Sequence, residues 1–557
     1  MGRILLAGPP AARHPDTSPR TIDGNQGVVS VAYASQRRTV SILSVALALA
    51  LAPACVPDPV PSGPTFFQVT TPADTFDGVC DAHCTLHDAV AAANADTTID
   101  EIRMPAGTYP LALTTPVGAD GDAFRVTDDL RLVGAGAAST VLDVDGRDVR
   151  AVWRTTAGLT IEGLTVEDVG SGTGSVPRTV VAAPMAAPDE TVRLVDVWID
   201  GVQPDATESG GAGNVGIVSA GGASNPTGHP FDIAVSSSRI ERVGRGTPFV
   251  NLGAALTIAD TVYDRAPAVL AGPPAPGANS FVPHDVDITG TTMTNGTANV
   301  FSSCVHGVAV EFLAGADVTI TDSALGGGAA GTCGGVPTGG SGSSSAGAVV
   351  GLAGFGSSGV VGRATIRRST LDGADQSNAL GVLALGDATI PEVDVVDSTL
   401  LAGDGSALRV SALTLGPGQS PTGGRVGFEH VTLVGPPVGP GFGIVVPQAV
   451  PVHIANSVAV SVGAFLCGPG AALTSGGGNT FSDLSCALTG PGDQTGVDPL
   501  LGPLGDHGGT GRSRVPSASS PLVDTAVGST STTDQRGVTR PQGSGNDRGA
   551  VERRPAD

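Results

Sequence analysis

Ile320-Thr321-Asp322-Ser323-Ala324-Leu325 is one copy of a six-residue phrase, Ile-x-[Asp/Gly/Asn]-[Ser/Thr]-x-[Leu/Ile], that returns about ten times along the chain. Further copies start at Ile258, Ile288, Ile366, Val395, Phe428 and Ile454, with looser ones at Ile161, Leu194 and Val235. A phrase recurring every 25 to 45 residues or so marks a solenoid, in which each repeat buries its apolar face only against its neighbours. The first and sixth positions are apolar and rich in strand formers. The third runs Gly163, Asp196, Ser237, Asp260, Gly290, Asp322, Arg368, Asp397, His430, Asn456. Gly, Asp and Asn tolerate a left-handed backbone, so this position predicts a one-residue corner between two strands. The fourth position is mostly Ser or Thr, for instance Ser323, Ser369 and Ser398. Small hydroxyls stacked at a corner can be satisfied by neighbouring backbone groups. Strand, corner, strand and a variable loop make the coil of a parallel β-helix. A propeller would need paired hairpin turns and tryptophan-rich blades; the chain has one corner per phrase and only 2 tryptophans.

Six segments follow from this reading: an extension over 1–36, a signal segment over 37–55, a Pro-rich tether over 56–65, an N-terminal cap over 66–125, the β-helix over 126–485 and a C-terminal module over 486–557. A solenoid can use 557 residues as one body. The chain carries 52 acidic residues against 29 basic ones, all arginine, for a net charge of −23. Such an acidic surface excludes nucleic acid and anionic membrane surfaces as partners. Aromatic residues make up 3%, so platforms for stacking bases or sugars are scarce.

Arg37-Arg38 precede an apolar run, Val40 to Leu51, that ends in Leu51-Ala52-Pro53-Ala54-Cys55. This order is that of a secretory signal, and the run is too short to span a bilayer. Its end is similar to a bacterial lipoprotein signal, which makes Cys55 the expected lipidated first residue and the N-terminal lipid the only membrane attachment. Ordinary cleavage near Ala54 is the alternative. Val56-Pro57-Asp58-Pro59-Val60-Pro61 forms a stiff tether. The expected location is therefore the bacterial envelope, as an outer-membrane lipoprotein, or the extracellular space. Six further cysteines fit an exported chain: Cys80, Cys84, Cys304, Cys333, Cys467 and Cys486. Proximity favours the pairs 80–84, 304–333 and 467–486. Their spacings fit no zinc pattern.

Both ends carry motifs. Cys84-Thr85-Leu86-His87-Asp88-Ala89 opens a stretch with helical apolar spacing at Leu86, Ala89, Val90 and Ala93, and Thr85 with Asp88 has the form of a capping box. This hexapeptide resembles the Cys-Ser-Leu-Arg-Glu-Ala motif of the CSLREA-domain proteins, with Thr85, His87 and Asp88 departing from it. Cys80, Ala93-Asn94 and Pro105-Ala106-Gly107-Thr108-Tyr109 also match. At the other end Asp498-Pro499-Leu500-Leu501, Gly508-Gly509, Ser520-Pro521-Leu522-Val523-Asp524, Asp534-Gln535-Arg536-Gly537, Arg540-Pro541 and Gly549-Ala550-Val551-Glu552 resemble the choice-of-anchor Q domain. The resemblance implies a bacterial exported protein with a right-handed, pectate-lyase-like parallel β-helix body. It implies no defined activity.

Enzymes of that fold class cleave acidic polysaccharides, either as lyases with calcium on clustered carboxylates or as hydrolases with paired carboxylates. Asp143-Val144-Asp145-Gly146-Arg147-Asp148 is the densest acidic turn but lacks a full calcium loop. Asp260, Asp322 and Asp397 occupy corners that select Asp for backbone reasons. Arg368 and His430 are odd corner occupants; His430 lies beside Glu429, and His306 lies near Cys304. None of these is assigned a catalytic role, and no cofactor or metal is expected. The expected function is a non-catalytic surface rod for binding, adhesion or scaffolding, with extracellular polysaccharide or envelope components as partners. The alternative is a secreted polysaccharide lyase or glycoside hydrolase. Convergent carboxylates on one sheet would favour that alternative.

Overall fold

The structure, a computed structural model, describes residues 66–557 apart from 112–120, 145–148, 170–178, 184–189, 203–215, 221–230, 244–248, 252–254, 265–268, 272–283, 297–309, 314–315, 328–331, 334–335, 338–347, 356–361, 374–377, 386–391, 404, 414–422, 438–441, 447–449, 464 and 472. The expected lipidated Cys55, and with it Cys304 and His306, lie outside the described residues.

The six-residue phrase folds as strand, corner, strand. Ala316–Thr321 runs into Asp322, and Ala324–Gly327 leaves it. All ten corner residues from Gly163 to Asn456 are left-handed, with φ between 46° and 64°. The two strands flanking each corner belong to a 26-stranded sheet, and a third strand of each coil adds to an 11-stranded sheet. Pairing between coils is parallel throughout both sheets; Val318–Thr321, for example, pairs with Ala364–Arg367. The chain is therefore an all-β, right-handed parallel β-helix with a single helix among the described residues.

Register explains the first position of the phrase. Ile258, Ile288, Ile320, Ile366, Val395, Phe428 and Ile454 are successive partners in one column. All are buried. Burying one such side chain contributes about 1.5–3 kcal/mol, and the column repeats the gain at every coil. The fourth position forms the hydroxyl ladder. Ser323 Oγ donates to Thr321 O at 2.8 Å, while Ser323 N donates to Ser369 Oγ at 3.2 Å. Ser369 N donates to Ser398 Oγ at 3.1 Å. Each hydroxyl thus satisfies a buried amide that the corner removes from the strand ladder.

The parallel ladder runs from Phe67–Gln68 to Gln494–Thr495 and so includes parts of both terminal regions. At the N-terminal end the helix Leu86–Ala95 opens on a capping box: Asp88 N donates to Thr85 Oγ1 at 3.1 Å, and Thr85 N donates to Asp88 Oδ2 at 3.2 Å. Asp88 Oδ1 also accepts from the amides of Asp77 and Gly78. These bonds hold its carboxyl below the usual range against the opposing effect of burial, which is the largest single influence. The Cys80–Cys84 disulfide precedes the helix, and Cys467–Cys486 closes a loop near the other end.

After Gln494–Thr495 the chain makes only isolated bridges. It folds back along the outside of the coils. Gln535 bridges two of them, donating through Nε2 to Thr370 Oγ1 at 2.7 Å and accepting from Thr399 Oγ1 at 2.5 Å. Ala550 N donates to Thr432 Oγ1 at 3.0 Å, and Arg548 Nη1 to Thr480 Oγ1 at 2.9 Å. A stacked threonine row on the outer face therefore receives the C-terminal segment. Arg540, fully buried, holds the segment together: it lies 3.0 Å from Glu552 Oε2, donates to the carbonyls of Asp547 and Gly549, and reaches Asp397 at 3.3 Å.

Candidate functional site: a carboxylate row on the outer face

Five of the corner residues, Asp322, Arg368, Asp397, His430 and Asn456, make contacts to another coil or to the C-terminal segment. Arg368 makes a two-pronged ion pair with Asp322 of the preceding coil, at 2.6 and 2.7 Å. Asp397 accepts from Ser531 Oγ at 2.9 Å and faces Arg540. His430 is fully buried, with Nε2 2.6 Å from Ser529 Oγ. Burial, and then the charge of Arg540, lower its pKa to about 3. Asn456 is bonded to both backbone groups of Val527. Glu429 and His430 do not form an acid–base pair. The left-handed corner sends His430 under the C-terminal segment, while Glu429 lines a concavity on the outer face of the strand before the corner. That concavity has a volume of about 430 Å³ and is also lined by Arg363, Arg367, Asp394 and Arg425. Two of its three arginines are ion-paired: Arg425 with Asp394 at 2.9 Å, and Arg363 with Glu392, outside the lining, at 3.0 Å.

The outer face of the strand after the corner is different. Asp143, Glu167, Asp200, Glu241 and Asp264 are successive register partners, one from each of five adjacent strands. Neighbouring strands lie ~4.8 Å apart, and like charges placed directly opposite destabilise a sheet. A row of five carboxylates therefore has an electrostatic cost that the fold itself does not require. Two arginines reduce it. Arg242 Nε pairs with Asp200 Oδ1 at 2.5 Å, and Arg239 Nη2 with Glu241 Oε1 at 2.6 Å. Glu167 sits between Asp143 and Asp200. Its pKa is raised, first by burial and then by the negative charges of Asp143, Asp168 and Asp200, with Arg242 acting in the opposite direction.

The backbone is distorted at the same place. Asp168, Gly201 and Arg242, the residues after Glu167, Asp200 and Glu241, are all left-handed, at φ 53°, 81° and 48°. For Asp and Arg this conformation is uncommon and costs energy. It turns Asp168 and Arg242 outward instead of into the core, so both are exposed. Gly201 between them has no side chain; a Cβ there would meet Asp168 Oδ1 at 3.0 Å and Arg242 Nη2 at 3.7 Å. Strand irregularities of this kind re-aim side chains at functional sites. Asp143, Glu167, Asp168, Asp200 and Arg242 thus form one cluster. No group of three or more His, Cys, Asp or Glu among the described residues has a metal-holding arrangement.

Of the acidic turn at 143–148, Asp143 joins this row, while 145–148 lie outside the described residues. Glu167, Asp200, Glu241 and Asp264 were not singled out from sequence, because unequal loops separate them. A signal was nevertheless present. Each stands four residues after its corner residue, Gly163, Asp196, Ser237 and Asp260, one position beyond the end of the six-residue phrase.

No protein-family model and no curated protein matches the chain. Among solved structures, the catalytic domain of GH87 alpha-1,3-glucanase in complex with nigerose is similar at 15% identity and a TM-score of 0.39, over 71% of this chain and 67% of that one. Pectate lyase Pel9A is similar at 12% identity and a TM-score of 0.36, over 88% and 96%. The mannuronan C-5 epimerase AlgE6 A-module of Azotobacter vinelandii is similar at 14% identity and a TM-score of 0.32, over 77% and 97%. These values are low, and no residue role passes from those proteins to this chain.

Proposed function

We propose that the chain hydrolyses glycosidic bonds of a polysaccharide at the Asp143–Glu167–Asp200 cluster. The observation that carries the proposal is Glu167, whose carboxyl is shifted toward the protonated form between two in-register carboxylates. Paired carboxyl groups whose environments push their proton affinities apart are what general acid–base cleavage of a sugar acetal needs. Glu167 gives its proton to the leaving glycosidic oxygen as the C–O bond breaks. Strand spacing of ~4.8 Å leaves no room for a water between the two carboxyls. Asp200, ion-paired with Arg242, therefore attacks the sugar carbon. A water that gives its proton to Glu167 then displaces Asp200 and frees the sugar. The non-catalytic rod is expected from scarce aromatic residues and the lack of a complete catalytic motif; the row of convergent carboxylates on one sheet favours the alternative. Elimination chemistry has less support, because a lyase of acidic sugars needs carboxylates arranged around a bridging cation, and among the described residues no acidic group has that arrangement. The same proposal includes export and an N-terminal lipid on Cys55, on the sequence grounds given above.

Incubation of the purified chain with a panel of neutral glucans, mannans and galactans, and with polyuronates, tests it. Reducing ends are expected from a neutral polymer, and Glu167→Gln should lower their release at least a hundredfold with the melting temperature retained. Binding without release from any polymer would return the protein to the rod reading. Release that is equal in the variant would move the site elsewhere.

A further inference from the structure

The same outer face carries a second row, two residues before the carboxylates. Thr165, Trp198, Arg239, Val262 and Thr292 are successive register partners. Two of them are large apolar side chains left in solvent: Trp198 is 37% exposed and Val262 45% exposed. In a chain with only 2 tryptophans the contrast is sharp, since Trp153 is 1% exposed and stacks on Phe124 in the core. Between the two apolar side chains stands Arg239, its guanidinium 5.9 Å from the Trp198 ring and tied to Glu241 of the acidic row. Two residues along a strand span ~6.6 Å. The two rows are thus parallel tracks running along the helix axis, one carrying the two exposed apolar side chains and one of hydrogen-bond acceptors.

We propose that these tracks bind an extended neutral polysaccharide lying along the helix axis, with Trp198 as a stacking platform next to the Glu167–Asp200 pair. The inference rests on the hydrolase reading for the location of the scissile bond and adds the substrate class and its direction. A pyranose ring has an apolar C–H face and a rim of hydroxyls. The Trp198–Val262 track meets the first, and the carboxylates accept from the second. Hydroxyl donors suit the carboxylate row, whereas the charge of a polyuronate does not. The ~4.8 Å step between coils is close to one sugar unit, so successive sugars meet equivalent positions. Thr165 is buried, and from Trp198 to Thr292 the track is about 14 Å long, which accommodates two or three units. The same face already holds an extended chain farther along. Thr370, Thr399, Thr432 and Thr480 continue the Trp198 row, and there the protein's own C-terminal segment occupies it.

Tryptophan emission reads this directly, because Trp153 is buried and Trp198 is not. Titration of the Glu167→Gln protein with a soluble glucan, a galactomannan and polygalacturonate separates binding from cleavage. A saturable emission change with a neutral polymer is expected, absent in Trp198→Phe and shifted to at least tenfold higher concentration in Val262→Asp. In the active protein, Trp198→Ala should raise KM for the cleaved polymer at least tenfold. An emission response without cleavage by the unmodified protein upholds the platform and overturns the hydrolase reading. Cleavage with no emission change and an unaltered KM in Trp198→Ala overturns the platform alone. A response to polygalacturonate only, or to none of the three, also overturns it.

Discussion

Arg540 of the C-terminal segment lies 3.3 Å from Asp397, a corner residue of the β-helix, and 3.0 Å from Glu552 of its own segment. One guanidinium thus serves two buried carboxyl groups, one on each side of the contact between segment and coils. Arg540→Leu removes the guanidinium from both and leaves them only their neutral hydrogen-bond donors. Removing one partner from a buried ion pair costs about 3–5 kcal/mol. Denaturant titration should show a loss of that order, and limited proteolysis should cut first within 498–557. An unchanged midpoint would mean that the segment is held by the threonine row alone.

Asp397 makes stability depend on pH. Its pKa is raised to about 6, chiefly by burial, with Arg540 and Ser531 opposing the rise. A raised carboxyl contributes stability that is complete below its unfolded value and is lost as pH rises through its folded value. The wild type should therefore lose roughly 3 kcal/mol from this group between about pH 4 and pH 6. Asp397→Asn lacks that term, so the variant should gain on the wild type across this window. Melting temperatures at pH 4.5, 6 and 7.5 check it; a constant difference contradicts it.

His430 has the opposite sign. Burial lowers its pKa to about 3, so its contribution is present above the unfolded value of 6.5 and is lost as pH falls toward 3. His430→Asn, which keeps a residue tolerant of the left-handed corner, should show a flatter acid limb in the same melting series.

Ser369 tests the hydroxyl ladder. Its Oγ donates to Arg367 O at 2.7 Å and accepts from Ser323 N at 3.2 Å. Ser369→Ala leaves the buried Ser323 amide unmatched, while Arg367 O still accepts from Asp322 N at 3.1 Å, at a cost of about 1–3 kcal/mol. Amide hydrogen exchange at Ser323 should accelerate beyond the change in global stability.

The Cys467–Cys486 disulfide closes a loop with a sequence separation of 19. Loop entropy gives it about 3 kcal/mol. A Cys467→Ala/Cys486→Ser double variant should lose stability of that order. A loss near zero would show that strain or residual structure cancels the entropy.

The hydrolase proposal has a pH signature. Glu167 acts protonated, so activity should fall as pH rises through its raised pKa. Asp143 is one of the charges that raise it. Asp143→Asn should therefore move the alkaline limb of the pH–rate profile to lower pH. A shift to higher pH would remove Glu167 as the acid.

Much of the fold was legible because solenoid rules are local. A left-handed corner selects Asp, Gly or Asn at one position, and an inward apolar residue recurs at a fixed offset from it. Ile320, Asp322 and Ser323 could therefore be assigned to the core column, the corner and the ladder from a single repeat. The capping box at Thr85 and Asp88 was legible for the same reason, since its two partners are three residues apart. The motifs at the C-terminal end were visible as a pattern without a role. Gln535, Arg540 and Glu552 gain their meaning only against Thr370, Thr399 and Asp397, which lie far away in sequence.

The sequence alone determined the coil, its corners and its core column, because each depends on the backbone preference and side-chain polarity of residues within one short phrase. Only the tertiary structure decided that Asp143, Glu167, Asp200, Glu241 and Asp264 form one row beside Trp198, and that His430 and Asp397 lie sealed beneath the C-terminal segment. Loops of unequal length separate the members of that row in the chain. Strand register brings them to a common spacing in space, and the proton affinity of Glu167 depends on that spacing.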